Sequence, residues 1–148
     1  MSAKVFVDTN VLVYWRDATD PQKQRRALAW MEFLWERRTG CLGFQVLQEF
    51  YVTVTAKLSP GLSPELARLN VRQLLAWNPV AVDDRLLEEA WRLQDRFRLP
   101  WWDALIVAAA QISACRYLLS EDFQDGMEMG DLKVVNPFLN RPEDFFLG

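Results

Sequence analysis

The chain has 148 residues, a length that suits one domain with a core of its own, and the whole of 1–148 reads as such a domain. Hydrophobic residues make up 51% and charged residues 25%, which excludes a disordered or low-complexity protein. A net charge of −3 excludes the broad cationic surface of a sequence-blind nucleic-acid binder, and the lack of histidine excludes imidazole bases, histidine-ligated zinc and Ser-His-Asp or Cys-His nucleophiles.

The first apolar run, Val5-Phe6-Val7, is short, β-branched and aromatic, and predicts a fully buried strand. Asp8 or Thr9 can cap the helical turn that follows it. Asp20-Pro21 pairs an N-cap with proline at the first helical position. Ala27, Leu28, Met31, Leu34 and Trp35 then recur at helical spacing, with Gly40 expected to close the segment. From Phe44 to about Lys57 the period is again helical, through Leu47, Phe50, Tyr51 and Val54, although the β-branched "YVTVT" weakens it.

Ser63-Pro64 opens a helix expected to bury Leu66, Leu69, Val71 and Leu74. Val80-Ala81-Val82 is strand-like, and Asp83 can cap a helix carrying Leu86, Ala90, Leu93 and Phe97 on one side. Pro100 separates that helix from "WWDALIVAAAQISA", rich in alanine and leucine and therefore strongly helical, with Asp103 in its first turn. Tyr117-Leu118-Leu119 and "KVVN" at 133–136 predict two more strands. Strands alternating with helices imply a short parallel sheet covered on both faces, a three-layer α/β/α sandwich.

In open parallel sheets ligands bind beyond the carboxyl ends of the strands. Asp8 and Asp122 both stand at such ends, and they overhang one crevice if their strands are neighbours. Glu49 is an acid within an otherwise apolar segment, and Asp103 lies where free helix amides favour a negative charge. Singly, each has a structural explanation: a cap, a first-turn acid, an acid at the core edge, or a turn residue. Together, carboxylates converging without a basic partner repel one another unless a cation neutralises them. All-oxygen ligands suit Mg²⁺ or Mn²⁺, and such ions promote in-line hydrolysis of phosphodiesters.

"VFVDTNVLVY", "QVLQEFYVT", "LPWWDALIVAAA" and "YLLSEDFQDG" resemble, in order, the four acidic segments of the PIN domain, a resemblance running from about Lys4 to Phe138. It implies a metal-dependent ribonuclease of three-layer α/β fold, akin to the VapC-like toxins that a small antitoxin protein inhibits, and a homodimer. It makes Asp8, Glu49, Asp103 and Asp122 the metal-holding acids, with Asn10 and Ser120 as polar supports. In the fourth segment Glu121, Asp122 and Asp125 compete, and Asp122 is preferred.

A phosphatase of the haloacid dehalogenase type also begins with an aspartate after the first strand, but it wants a second aspartate where this chain has Asn10. No glycine-rich phosphate loop follows Val5-Phe6-Val7, which argues against a nucleotide-binding module. A PIN-fold module that binds RNA or protein without cutting remains the alternative. Trp101 and Trp102 flank Asp103 and could stack on unpaired bases, or serve core or dimer packing. Cys41 and Cys115 form no C-x-x-C motif and read as reduced thiols, and no run of residues is apolar for long enough to be a signal or a membrane span, so the expected location is the cytoplasm.

Overall fold

The computed structural model describes residues 3–146. The first strand, β1 (Val5–Val7), is followed by α1 (Thr9–Arg16), α2 (Pro21–Arg37), the two-residue strand β2 (Gly40–Cys41) and α3 (Phe44–Val52). α3 runs on into a π-helical turn, Thr53–Lys57. Then come α4 (Pro64–Leu74), α5 (Asp84–Phe97), α6 (Trp101–Ile112), β3 (Tyr117–Leu119), β4 (Glu128–Met129) and β5 (Leu132–Val135).

The helix starts follow local chemistry. Asp20 accepts from the Lys23 amide, Ser63 from Leu66 and Asp83 from Leu86, so each N-cap satisfies a backbone donor that the helix leaves free. Pro21 and Pro64 occupy first-turn positions, where a missing N–H costs nothing. Such a cap contributes about 1 kcal/mol.

The sheet order is β2-β1-β3-β5-β4. All neighbours are parallel except β4, which runs antiparallel to β5. Successive strand side chains point to opposite faces, and Val5, Phe6 and Val7 are all fully buried, so both faces of β1 are covered. α5 packs along α6, while α1 packs on α2 and α3, and α3 on α4. The result is the expected three-layer α/β/α arrangement. Trp30, Phe6 and Phe50 are the largest side chains wholly removed from water, each contributing roughly 2–3 kcal/mol through burial.

Several sequence expectations are corrected. Gly40 does not end α2; Arg38 does so in the left-handed conformation (φ 56°), and Gly40 lies in β2, where a Cβ would strike the Trp77 ring. α4 buries Ala67, Asn70 and Leu74 and leaves Leu66 and Leu69 exposed. Asn70 points inward because its side-chain oxygen accepts from Arg16 Nε at 2.9 Å. Leu28 and Trp35 on α2 are likewise exposed. Val80 makes one isolated parallel bridge to Gly43, and exposed Val82 belongs to no strand. The β-branched stretch after Tyr51 stays helical but widens into the π-helical turn.

Candidate metal-binding acidic site

β1 and β3 are sheet neighbours in parallel register, with Val7 opposite Leu119. The next residue on each strand is therefore Asp8 on one side and Ser120 on the other. Asp8 donates its backbone N–H to the Leu119 carbonyl at 3.0 Å, and Ser120 does the same to Val135 at 3.1 Å, which fixes both at the carboxyl edge.

Asp8 is buried, and both its carboxylate oxygens are engaged. Oδ1 accepts from the Thr9 amide at 2.7 Å, which makes Asp8 the N-cap of α1. Oδ2 accepts from Ser120 Oγ at 2.7 Å. The cap and the site acid are thus the same carboxylate.

Asn10 ties the two strand ends together. Its Nδ2 donates to Asp122 Oδ2 at 3.0 Å and to Ser120 Oγ at 3.2 Å, with Asp8 Oδ2 at 3.4 Å. Its Oδ1 accepts from the Glu121 amide at 3.3 Å, which sets the orientation of the amide group. An aspartate here could donate neither bond, so the position does not suit the second acid of a haloacid dehalogenase nucleophile motif. Ser120 Oγ also accepts from the Asp122 amide at 3.1 Å.

The three acids after β3 part ways. Glu121 pairs with Lys23 Nζ at 2.8 Å, and that lysine lies over the rings of Tyr14 and Phe138. Asp125 accepts from the Asn136 amide at 2.9 Å and from Asn140 Nδ2 at 3.1 Å. Asp122 is the one turned toward Asn10 and Asp8.

Glu49 is exposed rather than drawn into the core, because Val46, Leu47 and Phe50 make the buried face of α3. Thr9 Oγ1 donates to its Oε2 at 2.9 Å and Gln45 Nε2 to its Oε1 at 2.9 Å. The sequence reading did not single out Thr9 and Gln45 for this role. Gln45 could have been found from its i,i+4 spacing to Glu49 on a helix. The reach of Thr9 across 40 residues has no local signal. Asp103 is half-buried in the first turn of α6, whose N-cap, Pro100, offers no side-chain bond.

The field of the acids links them. Burial, above all, pushes the Asp8 carboxyl up to about 6; its bonds from Ser120 and Thr9 pull the other way, and the charges of Asp122 and Glu49 add to the rise. Asp103 is also raised, first by burial and then by the charge of Asp122. The ion pairs found among the described residues, Lys23 with Glu121, Arg92 with Glu89 and Arg141 with Glu143, touch none of the four acids.

A hard cation fits this donor set chemically: the donors are carboxylate oxygens, they repel one another, and none of the ion pairs found among the described residues involves them. Among the described residues no three acidic or cysteine side chains lie close enough together to form a ready-made metal cluster. The fit therefore rests on donor chemistry and the shared field. A cavity of about 700 Å³ elsewhere, lined by Lys4, Trp35, Arg38, Cys41 and Trp77, contains none of these acids.

Trp101 stacks against Trp91 with ring centroids 6.2 Å apart, while Trp102 is 66% exposed. Met129 is buried in β4.

Asp8 and Asp122 thus stand at the carboxyl edge of a mostly parallel α/β/α sheet. The model of the PIN domain matches residues 5–124, and the chain belongs to that family, whose members are in general nucleases. By fold the chain is similar to a chain in a toxin-antitoxin complex from Klebsiella pneumoniae, with a TM-score of 0.61 and 19% identity over 90% of this chain and 98% of that one. No curated protein matches it by sequence. Among the described residues no helix is long and apolar enough to cross a membrane.

Proposed function

We propose that this protein is a divalent-metal-dependent endoribonuclease in which Asp8, Glu49, Asp103 and Asp122 hold Mg²⁺ or Mn²⁺. The observation that carries the reading is Asp8, a buried carboxylate at the end of β1 that feels the charges of Asp122 and Glu49 and has no ion pair among the described residues. Its burial is unfavourable without a counter-charge.

A bound divalent ion supplies Lewis-acid polarisation of the phosphodiester and eases in-line attack by water. The protein's part is positional. Ser120 and the Thr9 amide hold Asp8 in one rotamer, Asn10 holds Asp122, and Thr9 with Gln45 holds both oxygens of Glu49. Asp103, beside the field of Asp122, completes the acid set from α6.

The setting that the fold likeness supports is the toxin of a toxin-antitoxin pair, held inactive by a small antitoxin protein, and to this the family resemblance adds the expectation of a homodimer in the cytoplasm. Exposed Phe44, Val52 and Leu75 beside a groove between α3 and α4 offer the kind of apolar surface that a partner's amphipathic segment covers.

The test is cleavage of a mixed set of RNAs with Mn²⁺, with EDTA, and by Asp8→Asn and Asp103→Asn variants purified identically. Metal-dependent cutting lost in both variants, with 5′-phosphate and 3′-hydroxyl ends, is the expected result. Variants as active as the wild type would mean the site is misplaced, and 2′,3′-cyclic phosphate ends would overturn the in-line attack by water. Absence of cutting together with tight RNA binding would favour the non-catalytic module.

A further inference from the structure

The cavity of about 700 Å³ lies at the other end of the sheet from the acids. Lys4 precedes β1 and Gly40 begins β2, so its wall stands at the amino ends of these parallel strands, whereas Asp8 follows the carboxyl end of β1. Residues far apart in sequence meet there: Lys4, the stretch from the end of α2 into β2, the turn around Trp77, and Ser113 after α6. No aspartate or glutamate lines it, although the chain as a whole carries a net charge of −3. Its size is that of a small-molecule site.

One side of the wall is aromatic. The rings of Trp35 and Trp77 have centroids 5.2 Å apart and planes inclined by 58°. Gly40 seats the second of them, because a Cβ there would strike the Trp77 indole. Trp35 is 39% exposed, so indole surface remains open to a ligand.

The rest of the wall is cationic and polar. Lys4 donates through Nζ to the Ser113 carbonyl at 3.2 Å, which holds the ammonium in place and uses one of its donors. Arg38 takes part in none of the ion pairs found among the described residues. Between Arg38 and Gly40, Thr39 is buried, and its Oγ1 has no hydrogen-bond partner, an uncommon state for a buried hydroxyl. Two cations without an acid beside them select an anion, and a guanidinium matches phosphate oxygens in pairs. Indole faces select a flat ring.

We propose that this cavity binds a nucleoside monophosphate, with the phosphate on Lys4 and Arg38 and the base against Trp35 and Trp77. The site is separate from the four acids and does not depend on RNA cleavage.

The test is calorimetric titration of the whole protein with AMP, GMP, CMP and UMP, and with adenosine and inorganic phosphate as the two halves taken singly. EDTA is present throughout, so that no divalent ion bridges a nucleotide to the acids. At least one nucleotide should bind, about tenfold or more tighter than adenosine or phosphate, since each half makes only part of the contacts. Arg38→Asn removes the guanidinium yet suits the left-handed backbone at φ 56°, and should weaken nucleotide binding about tenfold while leaving adenosine as it was. Trp35→Ala should weaken nucleotide and adenosine alike and leave phosphate unchanged. In the wild type, saturating nucleotide should slow alkylation of Cys41, which lines the same cavity, so the location is read even if a variant fails to fold. The proposal is overturned if none of the four nucleotides binds, if phosphate alone binds as tightly as they do, or if Cys41 alkylation is unchanged by bound nucleotide. Because no RNA is cut in these titrations, any of those results would leave the ribonuclease reading standing.

Discussion

Asn10 and Asp122 are 112 residues apart in the chain and joined by a 3.0 Å hydrogen bond from the Asn10 amide nitrogen to the Asp122 carboxylate. The same nitrogen reaches Ser120 and lies near Asp8, so this one amide group connects the end of β1 to the end of β3.

Replacing that amide by a carboxylate should therefore damage the site without unfolding the protein. Asn10→Asp removes both donor hydrogens and adds a further negative charge beside Asp8 and Asp122. We expect RNA cleavage to fall about 10- to 100-fold, the usual effect of losing a group that orients metal-binding carboxylates, with the circular dichroism spectrum unchanged. Full activity in this variant would remove Asn10 from the site.

The acids after β3 provide a discriminating pair of substitutions. Glu121→Gln breaks a half-buried ion pair with Lys23, worth about 1 kcal/mol, and should leave cleavage near the wild-type rate. Asp122→Asn should abolish it. The reverse pattern in the same cleavage assay would transfer the metal role to Glu121.

Asp8 gives a stability prediction with a definite sign. Its folded-state carboxyl sits at about 6 against an ordinary 3.8, so the folded protein binds this proton more tightly than the unfolded chain does. The benefit is fully present below the ordinary value and is lost as pH rises from about 4 to about 6. The total is about 3 kcal/mol by pH 7. Urea melts in EDTA across this range should show a falling component that Asp8→Asn lacks, and that variant should gain stability relative to wild type at pH 8. An identical pH slope in both proteins would show that Asp8 is not buried as a charge.

Metal should reverse the penalty. A divalent ion binding only the folded form adds about 2.7 kcal/mol at a hundredfold excess over its dissociation constant, so Mn²⁺ should raise the melting temperature at neutral pH. The shift should fade as Asp8 becomes protonated near pH 6 and below, and it should be absent in Asp8→Asn. A thermal scan with equal shifts in both proteins would place the ion elsewhere.

What the sequence made legible was chemistry with a local signature. The Asp20-Pro21 and Ser63-Pro64 starts, the Asp83 cap and the alanine-rich α6 are each decided within a few residues, and the structure has them. β2 and β4 were invisible because two residues carry no periodicity. The inward face of α4 was misjudged because Arg16, arriving from α1, supplies a partner for Asn70 that no local pattern encodes. The positioning of Glu49 was hidden for a related reason: it comes in part from Thr9 on another helix, which a reading of α3 alone does not reach. The neighbouring of β1 and β3, on which the meeting of Asp8 and Ser120 depends, was conditional until the topology was known.

The strand register has one more consequence. The first 110 residues contain Asp8, Glu49 and Asp103, yet Asp8 gains its Ser120 bond only when Tyr117–Leu119 closes against Val5–Val7. A growing chain halted before that closure carries three of the acids with no hydroxyl to orient the first and no Asp122 to face it. The proposed site is thus gated by chain completion: the acidic edge comes into being with one of the last long-range pairings of the sheet, and a one-residue slip between two three-residue strands would erase it while leaving every acid in the chain.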